Sequence, residues 1–275
     1  MCTEPLFEIA GNKVNLYGVC IAIGILACIF VLYFYTKKKG VPEEVQDYTF
    51  FIAIAAIGFG FLAAKFFQAV YDWIETGVFD FYHAGITVMS GLIGGTALFL
   101  LIYFGIGKYV FKGKKKDWHK KYFNDIFLIA PLCISIAHGF GRIGCLMGGC
   151  CHGAFLGKDY VFGGIYMNTP TQGTGYFVPT QLYEALFLFA LFAVLSIFYF
   201  KNSNITMPIY LIAYGVWRIF IEFLRDDHAG EMIPGLRPSQ WISFLFIALG
   251  VAILVFYKQR KIPFTIEREK QGKTE

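Results

Sequence analysis

Tyr214, Arg218, Glu222 and Arg225 follow one another at steps of four, four and three. On a helix such steps bring all four side chains to one face. Two guanidinium groups, one carboxylate and one phenol on one stripe are the makings of an anion site, because Arg offers a planar fork that meets phosphate oxygens in pairs. Two readings of Arg218 and Glu222 stay open. As a pair they neutralise each other within a bundle; with Arg225 added, the stripe is cationic and favours an anion.

A second focus is the segment from His138 to Gly153, which carries six glycines around Arg142, Cys145, Cys150, Cys151 and His152. Glycine permits close backbone approach, and irregular backbone at membrane depth is tolerated where it is buried in protein or lines a cavity. Arg142 reads either as a phosphate ligand or as an interfacial cation that reaches the lipid headgroups. Cys145, Cys150, Cys151 and His152 match no standard zinc spacing, and no metal or cofactor is expected. Either Cys145 forms a disulfide with one of the adjacent pair, or all three are thiols. Cys20, Cys28 and Cys133 fall within apolar runs and read as small core residues.

Further polar or small residues sit at the ends of apolar stretches. Tyr17 opens the first and Lys65 and Gln68 close the second. Met89-Ser90-Gly91-Leu92-Ile93-Gly94-Gly95 opens the third, a segment that by itself reads as small-residue helix packing. Val178-Pro179-Thr180-Gln181-Leu182-Tyr183-Glu184 opens the fifth, where Pro suits a first helical turn.

The elements that must position these residues are membrane helices. The chain of 275 residues is 57% hydrophobic and 16% charged, with a mean hydropathy of +0.57. Soluble domains carry roughly 25% charged residues. Apolar runs lie near 14–36, 48–70, 86–111, 123–141, 179–200, 207–225 and 240–257. Each is near the roughly 20 residues needed to cross a bilayer, although the fourth needs its glycine-rich end to do so. The expected fold is therefore all-α, a polytopic membrane domain of about seven transmembrane helices over residues 1–262, with a polar tail over 263–275. The short start before the first run lacks a basic region, so no cleaved signal peptide is expected.

Lys37-Lys38-Lys39, Lys112 with Lys114–Lys116, Lys201, and Lys258 with Arg260 and Lys261 occupy alternate loops. The positive-inside rule makes those loops cytoplasmic. The amino terminus is then outside, the carboxyl terminus inside, and the polar positions above gather at the outer leaflet. The net charge of +5 is spent on topology, so nucleic acid is not expected as a partner.

Taken together, Gly141-Arg142-Ile143-Gly144 with Gly149 and Gly153, Gly91-Leu92-Ile93-Gly94, Pro179 to Glu184, and Tyr214 to Arg225 resemble the bacterial prolipoprotein diacylglyceryl transferase family. The resemblance covers most of the chain, from Tyr17 to Gln240-Trp241-Ile242-Ser243. It implies transfer of a diacylglyceryl group from phosphatidylglycerol to the lipobox cysteine of a preprolipoprotein, in the bacterial cytoplasmic membrane, with membrane lipids as surroundings. It also implies catalytic roles for Arg142, Arg218 and Glu222, and substrate contacts from Tyr17, Tyr214, Arg225, Gly91, Gly144 and Gln181. Three positions depart from the family pattern: Met89 stands where a His opens the third-helix motif, and Cys145 and Cys150 replace an Asn and a Glu of the signature loop. The His has been proposed as a thiol-activating base, a part for which His138 and His152 are the candidates here. A phospholipid headgroup enzyme with another acceptor, a non-catalytic phospholipid-binding or transport protein, and a thiol-redox protein are the competing readings.

Overall fold

The computed structural model describes residues 7–9, 12–82, 84–85, 87–159, 162–169, 172–225 and 238–260. The expected tail over 263–275 lies outside them, as do Asp226, Asp227 and Glu231. In chain order the elements are β1 (Phe7–Ile9), β2 (Asn12–Val14), α1 (Leu16–Lys39), α2 (Glu43–Thr76), α3 (Val88–Val110), α4 (Trp118–Lys121), α5 (Phe123–Met147), β3 (Phe155–Gly157), β4 (Ile165–Thr169), β5 (Gly173–Phe177), α6 (Thr180–Phe200), α7 (Thr206–Glu222) and α8 (Pro238–Arg260).

The fold is all-α and polytopic, as the apolar runs require. Among the described residues, six helices are long and apolar enough to cross a membrane: α1, α2, α3, α5, α6 and α8. The seventh long helix, α7, has 17 residues, or about 25 Å at the usual rise, short of a core roughly 30 Å thick. Helices also run past the apolar runs. The second extends over Glu43–Thr76 rather than 48–70. The fourth continues to Met147 rather than stopping near 141, so Arg142 and Cys145 sit on regular helix and the irregular backbone starts only at Gly148.

The contacts divide the chain into two units. The first comprises Met1–Leu32 and Phe127–Arg268. Here β1 and β2 form a hairpin, and β3, β5 and β4 form a three-stranded antiparallel sheet in that order. Alternate residues of β4 point inward, so Met167 packs with Phe177 and with Leu146 near the end of α5. This small apolar cluster fixes where α5 hands over to the following loop. Helices α7 and α8 run antiparallel, with Gly215 against Ile247 and Gly250 against Ile212. Thr206 Oγ1 donates to the Leu128 carbonyl at 2.7 Å, and the Phe187 and Trp217 rings stack at 4.4 Å between α6 and α7.

The second unit comprises Tyr33–Ile126 and Glu269–Glu275. Its helices α2 and α3 are antiparallel, and their backbones approach closely at Gly60 and Gly91. A side-chain carbon on Gly60 would lie 2.9 Å from the Gly91 carbonyl, so only glycine fits the crossing. At its other end, His119 of α4 is fully buried beside Gly107 and stacks on Phe111.

Candidate functional site

The first unit brings the ends of four helices to one polar cluster. The early part of α1 contributes Tyr17, the late part of α5 contributes His138 and Arg142, the start of α6 contributes Gln181 and Glu184, and the late part of α7 contributes Tyr214, Arg218 and Glu222.

Glu184 is the hub. Its side chain is 1% exposed, and its Oε2 stands 3.0 Å from Arg142 Nε. Its Oε1 accepts a hydrogen bond from the Tyr214 hydroxyl at 3.1 Å and lies 3.7 Å from His138 Nε2. The Tyr214 ring meets the His138 ring edge-on at 5.5 Å and stacks on Tyr210. A buried carboxylate costs several kcal/mol unless charges and donors surround it, and Glu184 has an arginine, a histidine and a hydroxyl donor around it. The Arg142 contact is an ion pair without hydrogen-bond alignment.

One turn on from Tyr214, Arg218 Nη2 lies 3.1 Å from Glu222 Oε2, as the step of four requires. Among the described residues, Arg218 Nη1 is buried without a hydrogen-bond partner. A cationic donor aimed into the protein with no internal acceptor suits an anionic ligand. Among the described residues, Arg142, Arg218 and Arg225 outnumber Glu184 and Glu222 by one charge.

The loop after α5 is fastened to this cluster by backbone and by α6. Gln181 Nε2 donates to the Cys150 carbonyl at 2.6 Å and Thr180 Oγ1 to the Cys151 carbonyl at 3.0 Å. Gly153 N donates to Val178 O at 2.9 Å, and Gly153 and Arg225 form an antiparallel bridge. A side-chain carbon on Gly153 would collide with the Leu224 carbonyl, so this crossing needs glycine. The Sγ atoms of Cys145, Cys150 and Cys151 lie within 4.8 Å of one another, and all three thiols are unbridged.

The placements sort the candidates. Tyr17 and Gly144 touch: the Tyr17 carbonyl and ring lie 3.2 and 3.3 Å from where a side-chain carbon on Gly144 would stand. His138 joins the Glu184 cluster. His152 has Nδ1 at 2.9 Å from the Gly153 carbonyl and its ring 4.4 Å from that of Phe177, a packed position. Gly91 lies in the second unit against Gly60 and Ala64, the packing role its small-residue segment suggested. Lys65 donates to the Tyr82 carbonyl at 2.8 Å, and Thr87 donates to Gln68.

A family model described as prolipoprotein diacylglyceryl transferase matches residues 4–256. The chain belongs to the prolipoprotein diacylglyceryl transferase family. It is 33% identical over 264 residues to a phosphatidylglycerol--prolipoprotein diacylglyceryl transferase of Clostridium tetani, covering 93% of this chain and 98% of that one. It is 30% identical over 283 residues to the enzyme of that name from Streptococcus pneumoniae strain ATCC 700669, covering 98% and 99%. A Clostridium perfringens protein named phosphatidylglycerol--prolipoprotein diacylglyceryl transferase 2 is 32% identical over 258 residues, covering 90% and 93%.

For a member of this family, the residue that sequence reasoning left unassigned is Glu184. It closes the segment Val178 to Glu184, where no neighbouring position in the chain shows what it meets. The available signal was its place four residues inside an apolar stretch, where an acid is costly without a partner.

Proposed function

We propose that this chain transfers the diacylglyceryl group of phosphatidylglycerol to the lipobox cysteine thiol of a preprolipoprotein and releases glycerol phosphate. The observation that carries the reading is the family match over residues 4–256. The relatives' names, which contain both phosphatidylglycerol and prolipoprotein, support the two substrates.

In the proposed reaction the acceptor sulfur attacks the glyceryl carbon that carries the phosphate ester, and the C–O bond breaks. Arg142 and Arg218 hold the phosphate and stabilise charge gathering on the leaving oxygens. Glu184 positions Arg142, and Glu222 positions Arg218. Tyr17, Tyr214, Gln181, Gly144 and Arg225 are the proposed substrate contacts. His138, 3.7 Å from a Glu184 oxygen, and His152 are the two candidates for proton acceptor. Catalysis is mostly positioning and charge stabilisation, because a phosphate monoester is already a competent leaving group.

The proposed setting is a bacterial cytoplasmic membrane, with seven helices forming one domain over residues 1–262, the amino terminus outside and the carboxyl terminus inside. The basic loops support that orientation. It makes the clustered ends of α1, α5, α6 and α7 the outer ends, where an exported lipobox and the outer leaflet meet. The test is incubation of the detergent-solubilised protein with phosphatidylglycerol and a lipobox peptide, followed by mass spectrometry. A gain of one diacylglyceryl group on the cysteine peptide, and none on its serine counterpart, is expected. No gain, with an authentic transferase active in parallel, overturns the reading.

A further inference from the structure

Three thiols meet where α5 ends. Cys145 is on the helix, and Cys150 and Cys151 are in the turn that follows, with every Sγ within 4.8 Å of the other two. Adjacent residues in extended chain point to opposite sides, so convergence of two neighbours on a third needs a special backbone. That backbone is present. Gly149 has φ +65° and Cys151 has φ +59°, a left-handed conformation uncommon for a residue with a side chain and costly by about 1–3 kcal/mol. Gln181 and Thr180 hold the carbonyls of both cysteines. The frame is thus held by partners besides the sulfurs, and the Cys150 thiol also donates to the Cys145 carbonyl at 3.7 Å.

Thiolates bound to zinc lie about 2.3 Å from the ion, which sets tetrahedral sulfurs about 3.8 Å apart. The observed trio reaches that spacing by shifts of about an ångström or less per side chain. Sulfur ligands select soft or borderline ions of the zinc class. Three thiolates around a divalent ion carry one excess negative charge, and Arg142 and Arg225 are the cations that act on these sulfurs. The neighbouring His152 stands apart from the trio with its Nδ1 at the Gly153 carbonyl. Among the described residues three ligands meet here, the pattern of a zinc site that keeps one position for a substrate.

We propose that Cys145, Cys150 and Cys151 bind a divalent ion of the zinc class and that its fourth position takes the acceptor cysteine thiol. The identity of that fourth ligand rests on the proposed transfer; the three-thiolate site does not. On binding, the ion displaces the protons of the three thiols to solvent. The acceptor thiol coordinates and gives its proton to solvent. Its sulfur then forms the C–S bond to the glyceryl carbon as the C–O bond to the phosphate breaks, and glycerol phosphate departs with the electron pair. Nothing is oxidised or reduced. The ion supplies what Met89 does not: a means of keeping the incoming sulfur ionised.

The experiment uses the full chain in detergent, stripped with a chelator under reductant and titrated with cobalt(II). The expected result is about one cobalt per chain with a thiolate-to-cobalt charge-transfer band, displaced by zinc(II) and lost in the Cys145→Ser/Cys150→Ser variant. Addition of a lipobox peptide shifts the visible ligand-field bands, and the same peptide with serine does not. Absence of the band from wild-type protein with its helical circular dichroism intact overturns the site. A band unmoved by the cysteine peptide overturns the open position. The mass assay on the same samples separates the two readings: transfer without cobalt binding removes the metal proposal and keeps the transferase, whereas cobalt binding without transfer does the reverse.

Discussion

Arg142 of α5 and Glu184 of α6 meet at 3.0 Å, and the carboxylate is almost wholly buried. Removing one member of a buried pair strands the other, at a cost of about 3–5 kcal/mol. Glu184→Ala should lower the melting temperature of the detergent-solubilised protein and reduce lipobox-peptide modification at least about tenfold. Glu184→Gln, which keeps an acceptor for Tyr214, should recover much of the stability but little of the activity. A Glu184→Ala protein that melts and turns over like wild type would remove the hub assignment.

Arg218 has one nitrogen on Glu222 and another buried without a protein acceptor. Loss of a donor that stabilises transition-state charge costs about 10²–10³ in rate. Arg218→Ala is expected to fall in that range, and Arg218→Lys to remain far below wild type because an ammonium cannot reproduce the fork. Steady-state rates at saturating peptide check this; full activity in Arg218→Lys would argue against paired contact with phosphate.

Gly153 leaves no room for a side chain, with the Leu224 carbonyl, Thr180 Cγ2 and Val178 Cβ all in the way. Gly153→Ala should cost about 1–3 kcal/mol by overpacking and should also depress transfer, because this crossing holds Arg225. Gly18→Ala, where the space is open, is the matched control and should leave thermal stability close to wild type.

His119 is buried in the second unit, and burial, aided by Lys120, lowers its pKa below the ordinary histidine value. In the unfolded chain it protonates near about 6.5, so between the two values the unfolded state binds more protons. Stability therefore falls as pH drops below that ordinary value. Thermal melts from pH 7.5 to 5 should show the loss, and His119→Phe, which preserves stacking on Phe111, should reduce it. Identical pH profiles for the two proteins would exclude His119 as the source.

The helices were readable because lipid demands long apolar runs, and the spacing of Tyr214, Arg218 and Glu222 was enough to foretell one polar face. Arg142 was legible as a lone cation among glycines. The continuation of α5 to Met147 was not, since its glycines read as loop and only tertiary contacts with Tyr17 and the sheet keep it helical. Nor were the short strands visible, because β3 has only three residues and depends on β5 for its hydrogen bonds. Glu184 and the thiol trio were hidden for one reason: their partners come from other segments, and pairing across a fold leaves no local pattern.

The fastening of the loop after α5 relies on main-chain atoms at most of its points: Gly153 N to Val178 O, Ala154 N to Leu224 O, and Val178 N to Ala154 O. Such bonds are indifferent to side-chain identity. Residues 145, 150 and 151 can therefore change chemical type while the carriage that holds them stays in register with α6 and α7. A lineage can exchange the amide and acid of this loop for thiols in single substitutions without first rebuilding the scaffold. The loop is a place where new chemistry can be tried at little structural risk.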